Sequence, residues 1–311
     1  MNDTSAFLTA SPAPPVISDE SSFELLYESE DGYSVLYLGN SGGKRRVYKA
    51  LKEEFRGDKV YEGLLRKEYE IGAQLDHPNI CQFFGFVNVD GLGNAIEMEW
   101  VNGVPLDSVM PSGRKLKYKL AGQLCDALDY MHSRQIIHKD LKPSNILVTH
   151  TGHVVKLIDF GFSDSDSHTV LKVPAGTLDY ASPEQMAGLP LSARSDIYSL
   201  GKVLAYLLPG ERSVISKCLK HDPSRRPASA GEVMAMLQRH KAVKTACIWL
   251  AAALLAALAF WGARAARSHD IAEPSVSDQA VPHVETGNDS LNLDQVLEQA
   301  TQLMLEAGDN D

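Results

Sequence analysis

From Phe23 to Leu51 the apolar residues come in short β-rich runs, Ser34-Val-Leu-Tyr-Leu38 and Arg46-Val-Tyr-Lys-Ala50. Asn40-Ser-Gly-Gly43 lies between them and predicts a hairpin turn, since glycine takes the positive φ that a tight turn demands. The pattern then lengthens to a helical period. Lys59 to Leu75 reads as one helix and Leu116 to Ser133 as another, with Leu120, Leu124, Leu128 and Met131 on a single face, a stripe that belongs in a core. Glu97-Met-Glu-Trp-Val101 between the two helices reads as a strand.

The C-terminal quarter has a different pattern. Ala246 to Ala263 is an unbroken run of 18 apolar or small residues. At about 1.5 Å per residue it would be roughly 27 Å long as a helix, close to the thickness of a bilayer core. Lys241 and Lys244 precede it, Arg264 and Arg267 follow, and Trp249 and Trp261 stand near its ends, where an aromatic side chain suits a membrane interface. A single transmembrane helix over 246–263 is therefore expected. Residues 268–290 predict an acidic linker. Over 291–307, Leu291, Leu293, Val296, Leu297, Ala300, Leu303 and Met304 recur at near-helical spacing and predict a short amphipathic helix. Such a helix is marginal alone in water, so it is expected to bury its stripe against a partner or a second copy of itself.

Composition narrows the picture. At 311 residues and 44% hydrophobic the chain can bury a full core, and one domain with appended segments is expected. The formal charge of -10 is unevenly spread: ten of the 40 acids and none of the 30 bases fall in 268–311, leaving 30 against 30 upstream. A neutral body with an acidic tail gives no electrostatic basis for binding nucleic acid. Cys81, Cys125, Cys218 and Cys247 are too scattered for a metal site or a disulfide framework and read as packed, reduced thiols. Residues 1–20 lack a basic stretch followed by an apolar one, so they read as a flexible leader and not as a signal peptide.

The chemistry concentrates in seven residues: His138, Asp140, Lys142 and Asn145, then Asp159, Phe160 and Gly161 beyond a strand-like run. Seven fixed positions coincide by chance about once in 10⁹ starting points. The set resembles the catalytic segment of the eukaryotic-like Ser/Thr protein kinases, of the bacterial membrane-anchored type, and the resemblance extends from about Phe23 to Gln238. It implies an α+β, bilobal kinase fold over 21–241, with a small β-rich lobe to about residue 100 and a large helical lobe after it. It also implies transfer of the γ-phosphoryl of ATP, with Mg²⁺, to Ser or Thr hydroxyls of a protein, self-phosphorylation included. Phosphoryl transfer asks a protein for positioning and charge neutralisation. By resemblance Asp140 meets the attacking hydroxyl and Lys142 neutralises the transferred group. Asn145 and Asp159 are the Mg²⁺ ligands, Lys49 holds the α and β phosphates, and Glu68 is the partner of Lys49. Met98 lies at the back of the adenine pocket, and Glu99 and Val101 present backbone groups to the base. Gly176-Thr177 before Tyr180-Ala-Ser-Pro-Glu184 resembles the substrate-side element of Ser/Thr enzymes. Glu184 with Arg226, and Asp196 beneath the catalytic loop, take structural roles. A kinase needs cytoplasmic ATP, so the catalytic domain is expected in the cytoplasm and the tail across the membrane.

The departures from that pattern carry expectations too. Ser29-Glu-Asp31-Gly32-Tyr33-Ser34 stands where the phosphate-covering loop has three glycines, which predicts weaker ATP binding. Val47 replaces a customary alanine and tightens the pocket above the adenine. Gly72 falls where a bulky residue ties the helix to the core, which predicts a loosely held helix and a conditional Lys49–Glu68 pair. Lys139 replaces an arginine and cannot form its two-pronged grip, which predicts less dependence on loop phosphorylation at Ser163, Ser165, Ser167 or Thr169. Leu207 to Ser213 runs almost straight into Val214 to Leu219, so a docking helix is missing. The rival reading is a pseudokinase scaffold that assembles a membrane complex without catalysis; the degenerate glycine loop favours it, and retention of Lys49, Glu68, Asp140, Lys142, Asn145 and Asp159 opposes it.

Overall fold

A computed structural model of the chain describes residues 14, 16–17, 23–28, 32–109, 111–160 and 178–269. The expected catalytic-side residues Gly161, Ser163 to Thr169 and Gly176-Thr177 lie outside these residues, as do residues 270–290 of the expected 268–290 linker and the expected helix at 291–307.

The first part is a six-stranded sheet in the order β1-β5-β6-β4-β3-β2. Its strands are β1 (Val16–Ile17), β2 (Glu24–Glu28), β3 (Ser34–Ser41), β4 (Lys44–Leu51), β5 (Phe83–Val89) and β6 (Gly93–Glu99). The β3–β4 turn is tighter than expected. Asn40 and Ser41 stay in the ladder, opposite Arg45 and Lys44, and only Gly42 and Gly43 turn, both at positive φ. β1 is a second difference: within the expected leader, Val16 and Ile17 pair in parallel with Asn88 and Val89. Alternation along β4 divides the sheet's two faces. Tyr48 and Ala50 pack outward with Val35, Val87, Val89, Leu92 and Ala95, whereas Val47 and Leu51 face the main core. Lys49 shares that inner register and is thereby buried.

Helix α1 (Lys59–Gly72) begins where the Asp58 carboxylate accepts a hydrogen bond from the Val60 N–H, 2.8 Å, and it buries Leu64, Leu65 and Glu68. The expected end at Leu75 is three residues late, because Ala73 to Leu75 form turns. The large lobe is built on α2 (Arg114–Ser133), whose Leu120, Leu124, Leu128 and Met131 are buried as their spacing requires. A small sheet, β7 (Gly103–Pro105), β8 (Ile146–Thr149) and β9 (Val155–Leu157), carries the catalytic loop between α2 and β8. α3 (Pro183–Met186), α4 (Ala193–Leu207) and α5 (Arg212–Cys218) follow. Only Leu208 to Glu211 joins α4 to α5. There the buried Glu211 accepts the Tyr118 hydroxyl at 2.6 Å, with Arg114 3.6 Å away, so the shortened connection is closed by a satisfied acid. Cys81, Cys125 and Cys218 are buried and unbridged.

Helix α6 (Ala230–His269) starts with Ala230, Val233 and Leu237 in the core, and the residues from Gln238 onward form a separate unit. In that unit Trp249, Leu250, Leu254, Leu255, Leu258, Phe260 and Trp261 are all exposed on the helix. Among the described residues no helix is long and apolar enough to cross a membrane. The side chains described on this stretch are those of 249–264, so the first three residues of the expected 246–263 span lie outside them.

Candidate active site

β4, α1 and the turn after β9 bring three charged residues together. Lys49 Nζ lies 2.7 Å from Glu68 Oε1 and 3.0 Å from Asp159 Oδ1. Burial opposes the Lys49 ammonium, but Asp159 and then Glu68 outweigh it and hold it above the usual lysine range. Burial pushes the Glu68 carboxyl up to about 7, against the pull of Lys49. The expectation of a loosely held α1 is not met. A Cβ at Gly72 would lie 2.4 Å from the Phe83 ring, so an aromatic from β5 already fills the space that the missing side chain would take.

The catalytic loop is shaped from below by Asp196 at the start of α4. Its Oδ2 accepts the His138 N–H at 2.8 Å, its Oδ1 accepts the Lys139 N–H at 2.9 Å, and His132 Nε2 lies 2.7 Å from Oδ2. Burial alone would raise the Asp196 carboxyl; these hydrogen bonds, His132 first, lower it instead. Lys139 is drawn into positive φ, 67°, and its carbonyl accepts Gln185 Nε2 of α3 at 2.8 Å. Asp140 follows at the loop's centre. Lys142 Nζ stands 2.9 Å from Asp140 Oδ2, and Asn145 Nδ2 donates to that oxygen and to the Asp140 carbonyl, each at 2.9 Å. Asp140 Oδ1 is buried with no hydrogen-bond partner. A buried carboxylate oxygen left without a donor is costly, and one aimed into a cleft is suited to accept from a substrate hydroxyl. Burial raises the Asp140 carboxyl, and Lys142 is the first group to pull it down.

At the back of the cleft, Met98 pairs across the sheet with both Val47 and Phe83, and Val47 and Met98 are buried. Glu99 ends β6 with its N–H on the Gln82 carbonyl, 2.8 Å, and Val101 follows with its carbonyl on the Gly103 N–H, 2.9 Å. A backbone role alone was expected of Glu99. Its side chain also reaches Lys156 of β9 at 2.8 Å, a strut between the hinge segment and the strand that leads to Asp159.

Tyr33 was assigned no role by sequence. It is buried, its ring lies 5.6 Å from that of Tyr61 on α1, and its hydroxyl is raised by burial and next by Glu68. Its signal was its place in the glycine-poor loop, of which 29–31 lie outside the described residues. Glu184 and Arg226 form the expected anchor, two parallel bonds at 2.6 and 2.7 Å.

The donor set fits a nucleotide with Mg²⁺. Asp159 supplies a carboxylate, and Asn145, its amide nitrogen committed to Asp140, keeps its oxygen for a cation. Among the described residues no cluster of three or more His, Cys, Asp or Glu could hold a metal. Two hard oxygens sharing the ion with phosphates is the arrangement Mg²⁺ favours.

Comparison with known proteins agrees with this geometry. A family described as "Protein kinase domain" matches residues 32–214. The serine/threonine-protein kinase PrkC of Bacillus subtilis (strain 168) is 32% identical over 222 residues, 63% of this chain and 34% of PrkC. The serine/threonine-protein kinase PknA of Mycobacterium tuberculosis (strain ATCC 25618 / H37Rv) is 34% identical over 209 residues, 61% of this chain and 48% of PknA. The chain thus spans between a third and a half of the length of these relatives. In fold it is similar to the crystal structure of the Mycobacterium tuberculosis PknI kinase domain, with TM-score 0.55 and 23% identity over 74% of this chain and 99% of that one.

Proposed function

Because the chain belongs to the protein kinase family, we propose that it transfers the γ-phosphoryl of ATP to Ser or Thr hydroxyls of proteins, its own among them. The observation that carries this is the buried, partnerless Asp140 Oδ1 in a loop held in place by Lys142, Asn145 and Asp196. ATP with Mg²⁺ supplies, when bound, an electrophilic phosphorus and the cation that neutralises its oxygens. Asp140 accepts the hydrogen bond of the incoming hydroxyl and orients its oxygen, taking the proton as the new oxygen–phosphorus bond forms and the bond from phosphorus to the departing ADP breaks. Lys142, tethered to Asp140, places a positive charge beside the transferred group. Lys49, held by Glu68, is directed toward the phosphates, and Asp159 and Asn145 are the residues that would ligate the cation.

The same reading tethers the catalytic domain to a membrane through 246–263, with that domain cytoplasmic and 268–311 on the far side. It rests on the apolar run and on the exposed Trp249, Leu254, Leu258 and Trp261 of α6, for which a lipid environment is the fitting solvent. Self-association or partner binding is assigned to 291–307.

The test is incubation of the full chain with Mg·ATP beside Asp140→Asn and Lys49→Ala variants, following phosphate incorporated into the chain and into a basic protein acceptor. Incorporation by the parent alone supports the kinase. Equal signals from parent and variants, or none from any, refute catalysis and favour the scaffold reading.

A further inference from the structure

Gly32, Tyr33 and Ser34 are the described residues of the phosphate-covering stretch, and of these Tyr33 alone has a large side chain. Its backbone is pinned to the sheet. The Tyr33 carbonyl accepts the Lys52 N–H at 2.9 Å, and Ser34 pairs with Leu51 at the end of β4. Its side chain departs from the pattern of the strand it leads into. Along β3 the alternation sends Val35 and Tyr37 to the outer face and Leu36 to the main core. Carried back two places, that alternation would put Tyr33 outside with Val35. Tyr33 packs in the main core instead and is buried there.

The inward ring is seated on α1. Its centroid lies 5.6 Å from that of Tyr61, whose own ring lies 4.4 Å from that of Phe55. Tyr61 stands two helical turns before Glu68, so the seat of the ring and the partner of Lys49 share one helix face. Lys49, Glu68 and Asp159 all act on the phenol: burial raises its hydroxyl most, Glu68 and Asp159 add to this, and Lys49 opposes them. In the kinase reading Lys49 and Asp159 are the groups that a nucleotide's phosphates and cation meet. A close-packed ring beside them leaves no room for a triphosphate in the same place.

We propose that Tyr33 is a self-ligand of the phosphate subsite: in the nucleotide-free chain its ring rests on Tyr61 beside Lys49 and Asp159, and Mg·ATP binds only once that ring has swung out. This rests on the kinase reading above and adds to it a regulation of the same site by the chain's own side chain. The glycine-poor loop is then more than a loss of phosphate contacts. Ring and phosphates compete, and apparent affinity scales with the fraction of chains whose ring is out. A ring held inward in about 90% of chains weakens binding about tenfold. The excluding element is the volume of the ring and not its hydroxyl, so phenylalanine at position 33 preserves the competition and alanine abolishes it.

The experiment compares the full chain with Tyr33→Phe, Tyr33→Ala and Tyr61→Ala, the last of which removes only the seat. Affinity for a fluorescent ADP analogue with Mg²⁺, KM for ATP in phosphate incorporation, and the melting curve are measured. Tyr33→Ala is expected to bind the analogue about tenfold more tightly and to lower KM by a similar factor, gains that lost packing alone would not produce. Tyr61→Ala shifts both in the same direction, and Tyr33→Phe keeps the parent's values. Nitration of Tyr33 in the unaltered chain by tetranitromethane, followed by peptide mass, gives a second reading that needs no variant. Slow in the free chain, it should quicken about threefold or more with saturating Mg·ADP. A Tyr33→Ala protein that melts cooperatively yet binds no more tightly than the parent, whether both bind or neither does, overturns the proposal. So does nitration that nucleotide slows or leaves unchanged, which decides the matter by itself for a Tyr33→Ala protein that does not fold. The expected affinities with no phosphoryl transfer by any of the four proteins refute the kinase reading alone. Transfer by a parent whose affinity equals that of Tyr33→Ala refutes the proposal alone.

Discussion

Asp140 and Glu68 are both carboxylates that burial raises, and the proposed mechanism needs both ionised, one to accept from the hydroxyl and one to hold Lys49. A raised carboxyl is protonated over more of the acid range. Phosphoryl transfer is therefore expected to fall as pH drops through about 7, the value of Glu68. A pH profile of the Glu68→Gln variant checks this: its lower rate should lack that inflection. Lys142→Met removes the first charge that pulls Asp140 down, so its acid limb should move to higher pH and its kcat should fall about 10²-fold or more. Glu184 has the opposite sign. Burial raises its carboxyl, but the Arg226 fork overcomes this and lowers it from 4.5 to about 2. Stability from a lowered carboxyl is fully present above 4.5 and is lost as pH falls toward about 2. Glu184→Ala leaves the buried Arg226 unpaired, which costs about 3 kcal/mol and should lower the melting temperature by about 6–12 °C at neutral pH. Calorimetry between pH 7 and pH 2 would show the difference from the parent shrinking below 4.5.

Helix α1 places Glu68, and its N-terminus depends on one local bond, from the Val60 N–H to the Asp58 carboxylate. Asp58→Ala should cost about 1 kcal/mol. In a body of this size that lowers the melting temperature by about 2–4 °C, read by thermal denaturation. At the other end of the helix, the residue pattern misleads for an identifiable reason. Gly72 looks like a missing contact along the chain, because the ring that replaces it belongs to β5 and arrives through a bulge. The α2 stripe was legible without help, since Leu120, Leu124, Leu128 and Met131 encode their shared face by spacing alone. The β3–β4 hairpin was equally legible, because Gly42 and Gly43 supply the positive φ where the turn requires it.

For the chain as a whole, the membrane tether is the reading with the largest consequence. Arginine at Leu254 and Leu258 together would place two charges in the middle of the run, at about 2.5–3.5 kcal/mol each in a bilayer. The double variant is expected to move from the membrane pellet to the soluble fraction on alkaline extraction, whereas a parent already soluble would refute the tether. The inventory of candidate chemistry is legible along the chain. Asp140, Lys142, Asn145 and Asp159 stand close along the chain, where spacing encodes role, and the succession of strands and helices follows from a change of hydrophobic period. The relations between distant segments emerge only in the folded molecule. Lys49 meets Asp159 across 110 positions, Asp196 supports His138 from 58 positions away, and Lys156 braces Glu99 from 57. Phe83 occupies the space beside Gly72. Periodicity reports which face of an element is buried, but it carries no record of which distant side chain fills the gap against that face; complementary volume and charge settle this only once the chain has closed on itself.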